Sequence, residues 1–185
     1  ARHDMPHDRD HKHRQSEVGT LVCKAYAEAY RTAAQLKDET PIIGCSHFGS
    51  IRAGFSKGKV SVLDVGEALP FSNALKVYQL TGKQIKSLVQ FGLHNQRYGW
   101  LQTAYLDIEK DAEGNVKQLT YVSPQGKRIV LQPKKKYYLV ADEFITNGGD
   151  GYAPSFFPTK QEIKVANLPL TTDAFINYLK QQHSI

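Results

Sequence analysis

Only two of the 185 residues are cysteine, Cys23 and Cys45, too few for a disulfide-built miniprotein or a zinc ribbon. Each falls on an element expected to be buried, and the sequence leaves open whether they pair. No run approaches the roughly eighteen apolar residues of a membrane span, and no signal peptide opens the chain. The start at Ala1 without Met points to a processed or excised chain, the form a mature exported protein would have. Also absent are GxSxG, a P-loop and HExxH, which removes the commonest serine-hydrolase, nucleotide-triphosphatase and zinc-protease centres. Beyond residue 15 only His47, His94 and His183 remain, too few and too scattered for a two-metal phosphoesterase centre, whose ions sit about 3.5–4 Å apart. No basic stripe interleaved with aromatics appears, so no nucleic-acid partner is expected.

What is present suits one folded domain. The hydrophobic fraction is 41% and the aromatic fraction 10%, with ten Tyr and eight Phe, enough for a core in a chain of single-domain length. Twenty-four Lys and Arg against eighteen Asp and Glu give a formal charge of +6. That balance would favour anionic ligands, but on charge alone a dispersed basic surface is the more ordinary reading.

Residues 1–15, ARHDMPHDRDHKHRQ, are nearly all charged or His and lack an apolar period. They read as a flexible arm or inter-domain linker remnant, with residues 16–185 as the folded domain. Four of the seven histidines lie in this arm. Without a framework they read as a solvated tail and not as a metal site. Ser16 then caps a helix to about Lys37, whose apolar residues Val18, Leu21, Val22, Ala25, Tyr26, Ala29, Tyr30 and Ala33 recur at helical spacing. IIGC after Pro41 reads as a short buried strand that empties into the turn SHFGSIR. Ser61 opens a short helix that Pro70 stops, NALKVYQLT alternates as a strand, and TGKQIKSLVQF gathers Ile85, Leu88 and Val89 on one helical face. From Gln102 to Ala141 the runs TAYLDIEK, VKQLTYVS, RIVLQ and KYYLVADEF, parted by Gly- or Asn-bearing turns, read as antiparallel hairpins. A closing helix spans about Thr172 to Gln182. The expected fold class is α+β, with mixed or antiparallel sheets flanked by helices.

Two aromatic residues precede turn-forming polar groups: Phe71 in LPFSN, and Phe144 in EFITNGGDGY with Asp150 beyond it. Two such faces can hold a flat base, at about 1–3 kcal/mol per stacked base. A carboxylate can accept from both ribose hydroxyls, and Arg52 after the first Gly/Ser turn can meet a phosphate by a bidentate contact. Alone, each is more often a core ring or a turn former.

In order, these pieces resemble the C-terminal domain of the 5'-nucleotidase family, which includes UDP-sugar hydrolases. VGTLVCKAYAEA is similar to the family's opening helix. HFGSIR, VSVLDVGEALPFSN and VYQLTG follow its NGGGIR, PFgN and LTG core, and YYLVADEFITNGGDGY fits its closing GGDGY motif. The resemblance implies a 5'-nucleotidase C-terminal-domain-like fold that binds the nucleoside while a separate N-terminal metallophosphatase domain hydrolyses the phosphate ester. It implies two divalent ions, Zn or Mn, in that partner domain, with no metal and no catalytic residue in this chain. The implied substrate-binding residues are Arg52 for phosphate, Phe71 and Phe144 for the base, and Asp150 for ribose. Asn147 and Gly149 belong to the same turn, and His47 and Arg14 are secondary candidates. His47 stands where the family has Asn, and Phe48 and Ser50 replace two of its glycines, which makes this loop bulkier. The implied location is periplasmic, secreted or at the cell surface. Two further readings stand beside it: a stand-alone nucleotide-binding or interaction module without catalysis, and an inert domain whose Phe71 and Phe144 are core.

Overall fold

The computed structural model describes residues 1–185. Its centre is a five-stranded sheet in the order β3-β1-β7-β2-β8. The strands are β1 (Ile42–Ser46), β2 (Leu75–Thr81), β3 (Gln102–Ala104), β7 (Lys136–Asp142) and β8 (Glu162–Ile163). A smaller sheet of β4 (Leu106–Lys110), β5 (Val116–Val122) and β6 (Arg128–Val130) stands beside it in the order β4-β5-β6.

The central sheet is buried on both faces, and its period of two divides the core in half. Ile42, Val77 and Val140 point into one cluster with α1 (Glu17–Ala33) and α5 (Thr171–Gln181). Ile43, Tyr78, Leu139 and Ala141 point into the other, with α3 (Gly82–Leu93) and the small sheet. Burial on both sides explains why IIGC is an apolar run and not an alternation. The helices start where their caps dictate: the Ser16 hydroxyl accepts from Gly19 N, and Ser61 and Thr81 each close a capping box, with Asp64 for α2 (Val62–Ala68) and Gln84 for α3. Helix α1 lies so close on β1 that a Cβ at Gly44 would run into the Cys23 backbone carbonyl. Glycine is what permits that approach. Cys23 and Cys45 are both buried and free.

Three expectations change. TAYLDIEK is not one strand: Tyr105 takes a positive φ of 61°, which breaks the run into β3 of the central sheet and β4 of the small one. KYYLVADEF forms no hairpin with the preceding strand. It lies parallel to β1, with Ile43 opposite Leu139, and antiparallel to β2, with Leu75 opposite Asp142.

Residues 1–15 are not a solvated tail. Met5 pairs with Phe55 across an isolated antiparallel bridge and is only 2% exposed, Arg2 N donates to Ile185 O at 2.7 Å, and the Ala1 ammonium contacts the Gly58 carbonyl. The buried Met5 and His7 side chains tie this polar segment to the domain.

Candidate functional site

The topology gathers one edge of the central sheet. Parallel strands β1 and β7 both end there, and antiparallel β2 begins there, since Leu75 sits opposite Asp142. The chain leaving β1 forms a 3₁₀ turn over Phe48–Ser50. The chain leaving β7 forms the one-turn helix α4 (Glu143–Thr146), capped by the Asp142 carboxylate, and then a 3₁₀ turn over Gly149–Gly151. The residues entering β2 carry Phe71 and Asn73. Placing side chains beyond the carboxyl ends of parallel strands is a common route to a ligand crevice.

A cleft of about 500 Å³ opens at this edge, and Arg52, Phe71, Phe144, Asp150 and His47 all line it. Phe71 and Phe144 are 52% and 42% exposed, unlike most large apolar side chains of the chain. The Arg52 guanidinium lies 5.9 Å from the centre of the Phe71 ring. His47 organises the opposite wall: its ring stacks on Phe144 at 4.6 Å and 25°, and its Nδ1 lies 2.8 Å from Asp150 Oδ2. Its other nitrogen, Nε2, is buried without a hydrogen-bond partner, 3.8 Å from Asp142 Oδ1. Asp142 is itself fully buried and accepts from Ser46 Oγ at 3.1 Å. No polar atom of the His47 ring is therefore left for a ligand.

Three predicted residues lie outside the lining. Gly149 sits beneath Phe144, where a Cβ would overlap three ring carbons, so its role is to seat that ring. Asn147 caps the end of α4, its N–H reaching Glu143 O at 2.9 Å. Arg14 is turned into the arm, with Nη2 3.4 Å from Pro6 O and 3.7 Å from Asp8 Oδ2.

Seven lining residues escaped the sequence reading as site residues: Arg9, Lys12, Phe48, Gly49, Asn73, Arg97 and Tyr98. Asn73 was legible as the last letter of LPFSN. Arg9 and Lys12 reach the cleft only because the arm docks: Lys12 Nζ donates to Arg97 O at 2.7 Å and Trp100 N to Lys12 O at 2.8 Å. His7 anchors the same segment. It stacks on Phe48 at 4.0 Å, and its ring nitrogens meet Ser16 Oγ and Phe48 O. Burial pulls the His7 pKa down to about 4, with the Phe48 carbonyl opposing. No group of three or more His, Cys, Asp or Glu is placed to hold a metal ion.

Fold and cleft define an α+β domain with a ligand-sized opening at a sheet edge, lined by exposed rings and cations. Residues 3–157 match the family described as 5'-nucleotidase, C-terminal domain, and the chain belongs to that family. It is 28% identical over 147 residues to the trifunctional nucleotide phosphoesterase protein of Bacillus subtilis, covering 76% of this chain and 10% of that one. It is 23% identical over 175 residues to an apyrase of Anopheles gambiae, covering 91% and 29%. The crystal structure of a 5'-nucleotidase precursor from Thermus thermophilus superposes with a TM-score of 0.80 at 28% identity, over 100% of this chain and 36% of that one. The NAD nucleotidase of Haemophilus influenzae, at 19% identity and a TM-score of 0.71 over 97% and 34%, shares the fold. The chain thus spans about a third or less of the length of these relatives.

Proposed function

We propose that this chain is the substrate-binding domain of a metal-dependent 5'-nucleotidase, with residues 16–185 as the binding domain and residues 1–15 as an arm leading from a preceding metallophosphatase domain. The observation that carries the reading is the pair of exposed rings, Phe71 and Phe144, on one cleft with Arg52. In the bound state the base stacks on these rings, Arg52 meets the 5'-phosphate, and Asp150 accepts from ribose through the oxygen that His47 leaves free. The protein's reaction is hydrolysis of nucleoside 5'-phosphates, with UDP-sugars or NAD as further substrates, and this chain alone binds without hydrolysing. Two divalent ions, Zn or Mn, would be held by the preceding domain and would supply there the activation of water. The residues of this chain contribute positioning, holding the ester where those ions can reach it. A periplasmic, secreted or cell-surface location fits relatives that include insect apyrases and a Listeria monocytogenes cell wall protein. No helix is long and apolar enough to cross a membrane.

Calorimetric titration of the chain with adenosine, AMP and UDP-glucose tests the reading. At least one ligand binds in the millimolar range or tighter, and Phe144→Ala weakens it by about tenfold, the loss of one stacked face. Absence of binding by the intact chain at millimolar ligand, or equal binding by the variant, would refute the site.

A further inference from the structure

The chain's one run of lysines, Lys134–Lys136, takes no part in the cleft. It leads into β7, which starts at Lys136 and ends at Asp142 on the cleft side. Six residue steps of about 3.3 Å place Lys136 roughly 20 Å from that edge, at the opposite end of the central sheet.

Two stretches without acidic residues meet there. No Asp or Glu lies between Glu67 and Asp107, nor between Glu113 and Asp142. The turn Gln132–Lys135 of the second stretch is fastened to the first turn of α3 in the first: Gly82 N donates to Lys135 O at 2.9 Å and Lys83 N to Pro133 O at 3.1 Å. A Cβ at Gly82 would run into the Gln132 carbonyl, and the Tyr137 hydroxyl accepts from Gln132 N at 2.9 Å, so the turn is held against the helix. Further along α3, Lys86 Nζ donates to Lys117 O at 3.2 Å. On the face that results, Lys83, Lys86, Lys134, Lys135 and Lys136 are all exposed. None of the five belongs to an ion pair, because the chain's salt bridges engage other residues. Glu109 on β4 and Glu162 on β8 are taken by Lys117 and Lys164.

Surface cations normally stand among carboxylates of opposite sign. Five unpaired lysines on two linked elements repel one another and project a positive field away from the protein. Their chemistry suits a diffuse anionic surface: lysines are mobile point charges, without the planar fork by which arginine reads an individual phosphate. The chain's exposed aromatic rings, Phe71, Tyr98 and Phe144, all line the cleft, so the lysine face offers nucleic-acid bases no stacking platform. We propose that this face docks the protein peripherally on an anionic phospholipid bilayer, with the cleft turned away from the membrane and open to solvent. Clusters of roughly four to eight basic residues bind such bilayers, at about fivefold in affinity for each residue near the surface. The docking does not depend on what the cleft binds.

The test is co-sedimentation of the 185-residue chain with vesicles of phosphatidylcholine alone and of phosphatidylcholine mixed equally with phosphatidylglycerol, with a DNA duplex as a second polyanion. In about 50 mM salt the chain binds the mixed vesicles and not the neutral ones, and about 500 mM salt releases it, because the contact is screened. Lys134→Gln/Lys135→Gln in the turn and Lys83→Gln/Lys86→Gln on α3 each weaken vesicle binding by about 25-fold, the loss of two basic residues. All four side chains are exposed, so both variants keep the wild-type melting curve. Lys57→Gln/Lys59→Gln removes the same charge from the loop before α2, whose Phe55 and Val60 pack with α1 on the other face of the central sheet, and changes binding by less than about threefold. Equal binding to neutral and anionic vesicles, or binding that survives both the turn and the α3 variants, would overturn the docking face. So would an equal loss in Lys57→Gln/Lys59→Gln, which would make the effect one of net charge. Binding to the duplex without binding to vesicles would overturn the membrane as the partner.

Discussion

Gly149→Ala separates the proposed binding role of Phe144 from the stability of the fold. The backbone at Gly149 does not adopt a positive φ, so alanine suits the main chain, but its Cβ would overlap ring carbons of Phe144. That ring is 42% exposed on its cleft side, so it can swing outward without unfolding the core. The swing gives up the stack on His47, about 0.5–1.5 kcal/mol, and takes a side chain off its rotamer for a similar amount. Replacing glycine recovers about 0.5–1 kcal/mol of unfolded-state entropy, which leaves a net destabilisation of about 0–2.5 kcal/mol. For a chain of this size that is a fall in Tm of no more than about 10 °C. Binding suffers more, because a base meets a displaced ring: a loss of about 1–3 kcal/mol, or roughly 5- to 150-fold in adenosine affinity. Calorimetry on Gly149→Ala, Phe144→Ala and the double variant checks the causal chain. If Gly149 acts through the ring, the double variant binds no more weakly than Phe144→Ala alone. Additive losses, or adenosine affinity unchanged in Gly149→Ala, would refute the reasoning.

Two other perturbations probe the buried histidines of the arm and of the cleft wall. His7 has a folded pKa near 4 against an ordinary 6.5, so its contribution is fully present above pH 6.5 and is lost as pH falls toward 4, because the unfolded chain takes up the proton first. At about 1.4 kcal/mol per unit the loss approaches roughly 3 kcal/mol, and urea midpoints between pH 7 and pH 4 should fall more steeply in the wild type than in His7→Gln; parallel slopes would refute it. His47→Asn releases the Asp150 oxygen that the imidazole occupies, so under the ribose-binding reading discrimination between adenosine and 2'-deoxyadenosine should rise by about fivefold or more. An unchanged ratio of the two affinities would show that Asp150 does not read the ribose.

The elements built from local signals were legible. Helices α1 and α3 follow from apolar spacing and from the caps at Ser16 and Thr81, and β1 follows from an apolar run bounded by Pro41 and a turn. The misreadings share one cause, the dependence of structure on distant partners. β7 pairs in parallel with a strand far upstream, and a parallel pair leaves no turn signal. Tyr105 breaks its strand because the two halves join different sheets, which no composition rule foresees. Residues 1–15 look solvated because their charge outweighs one Met, yet Met5 finds Phe55. The same division holds at the cleft. Arg52, Phe71, Phe144 and Asp150 sit in motifs readable along the chain, whereas Arg9, Lys12 and Arg97 converge only through the path of the docked arm.

Asp150 shows how the two parts of the cleft are coupled. It is a non-glycine residue at φ 54°, a left-handed conformation that aspartate tolerates better than most but that still needs support. The support comes from two sides. His47 holds the carboxylate, and the buried Asn95 donates from Nδ2 to the Asp150 carbonyl at 3.0 Å. The same Asn95 accepts from Tyr98 N through Oδ1 at 3.1 Å, beside Arg97. One amide side chain thus ties the turn that carries the proposed ribose acceptor to the turn that carries Arg97 and Tyr98. A ligand that spans both meets groups already in register, so little of its binding free energy is spent on ordering them. Under the nucleotide-binding reading, the fit of the cleft to its ligand therefore depends on the rigidity of this bridge as well as on the residues that line it.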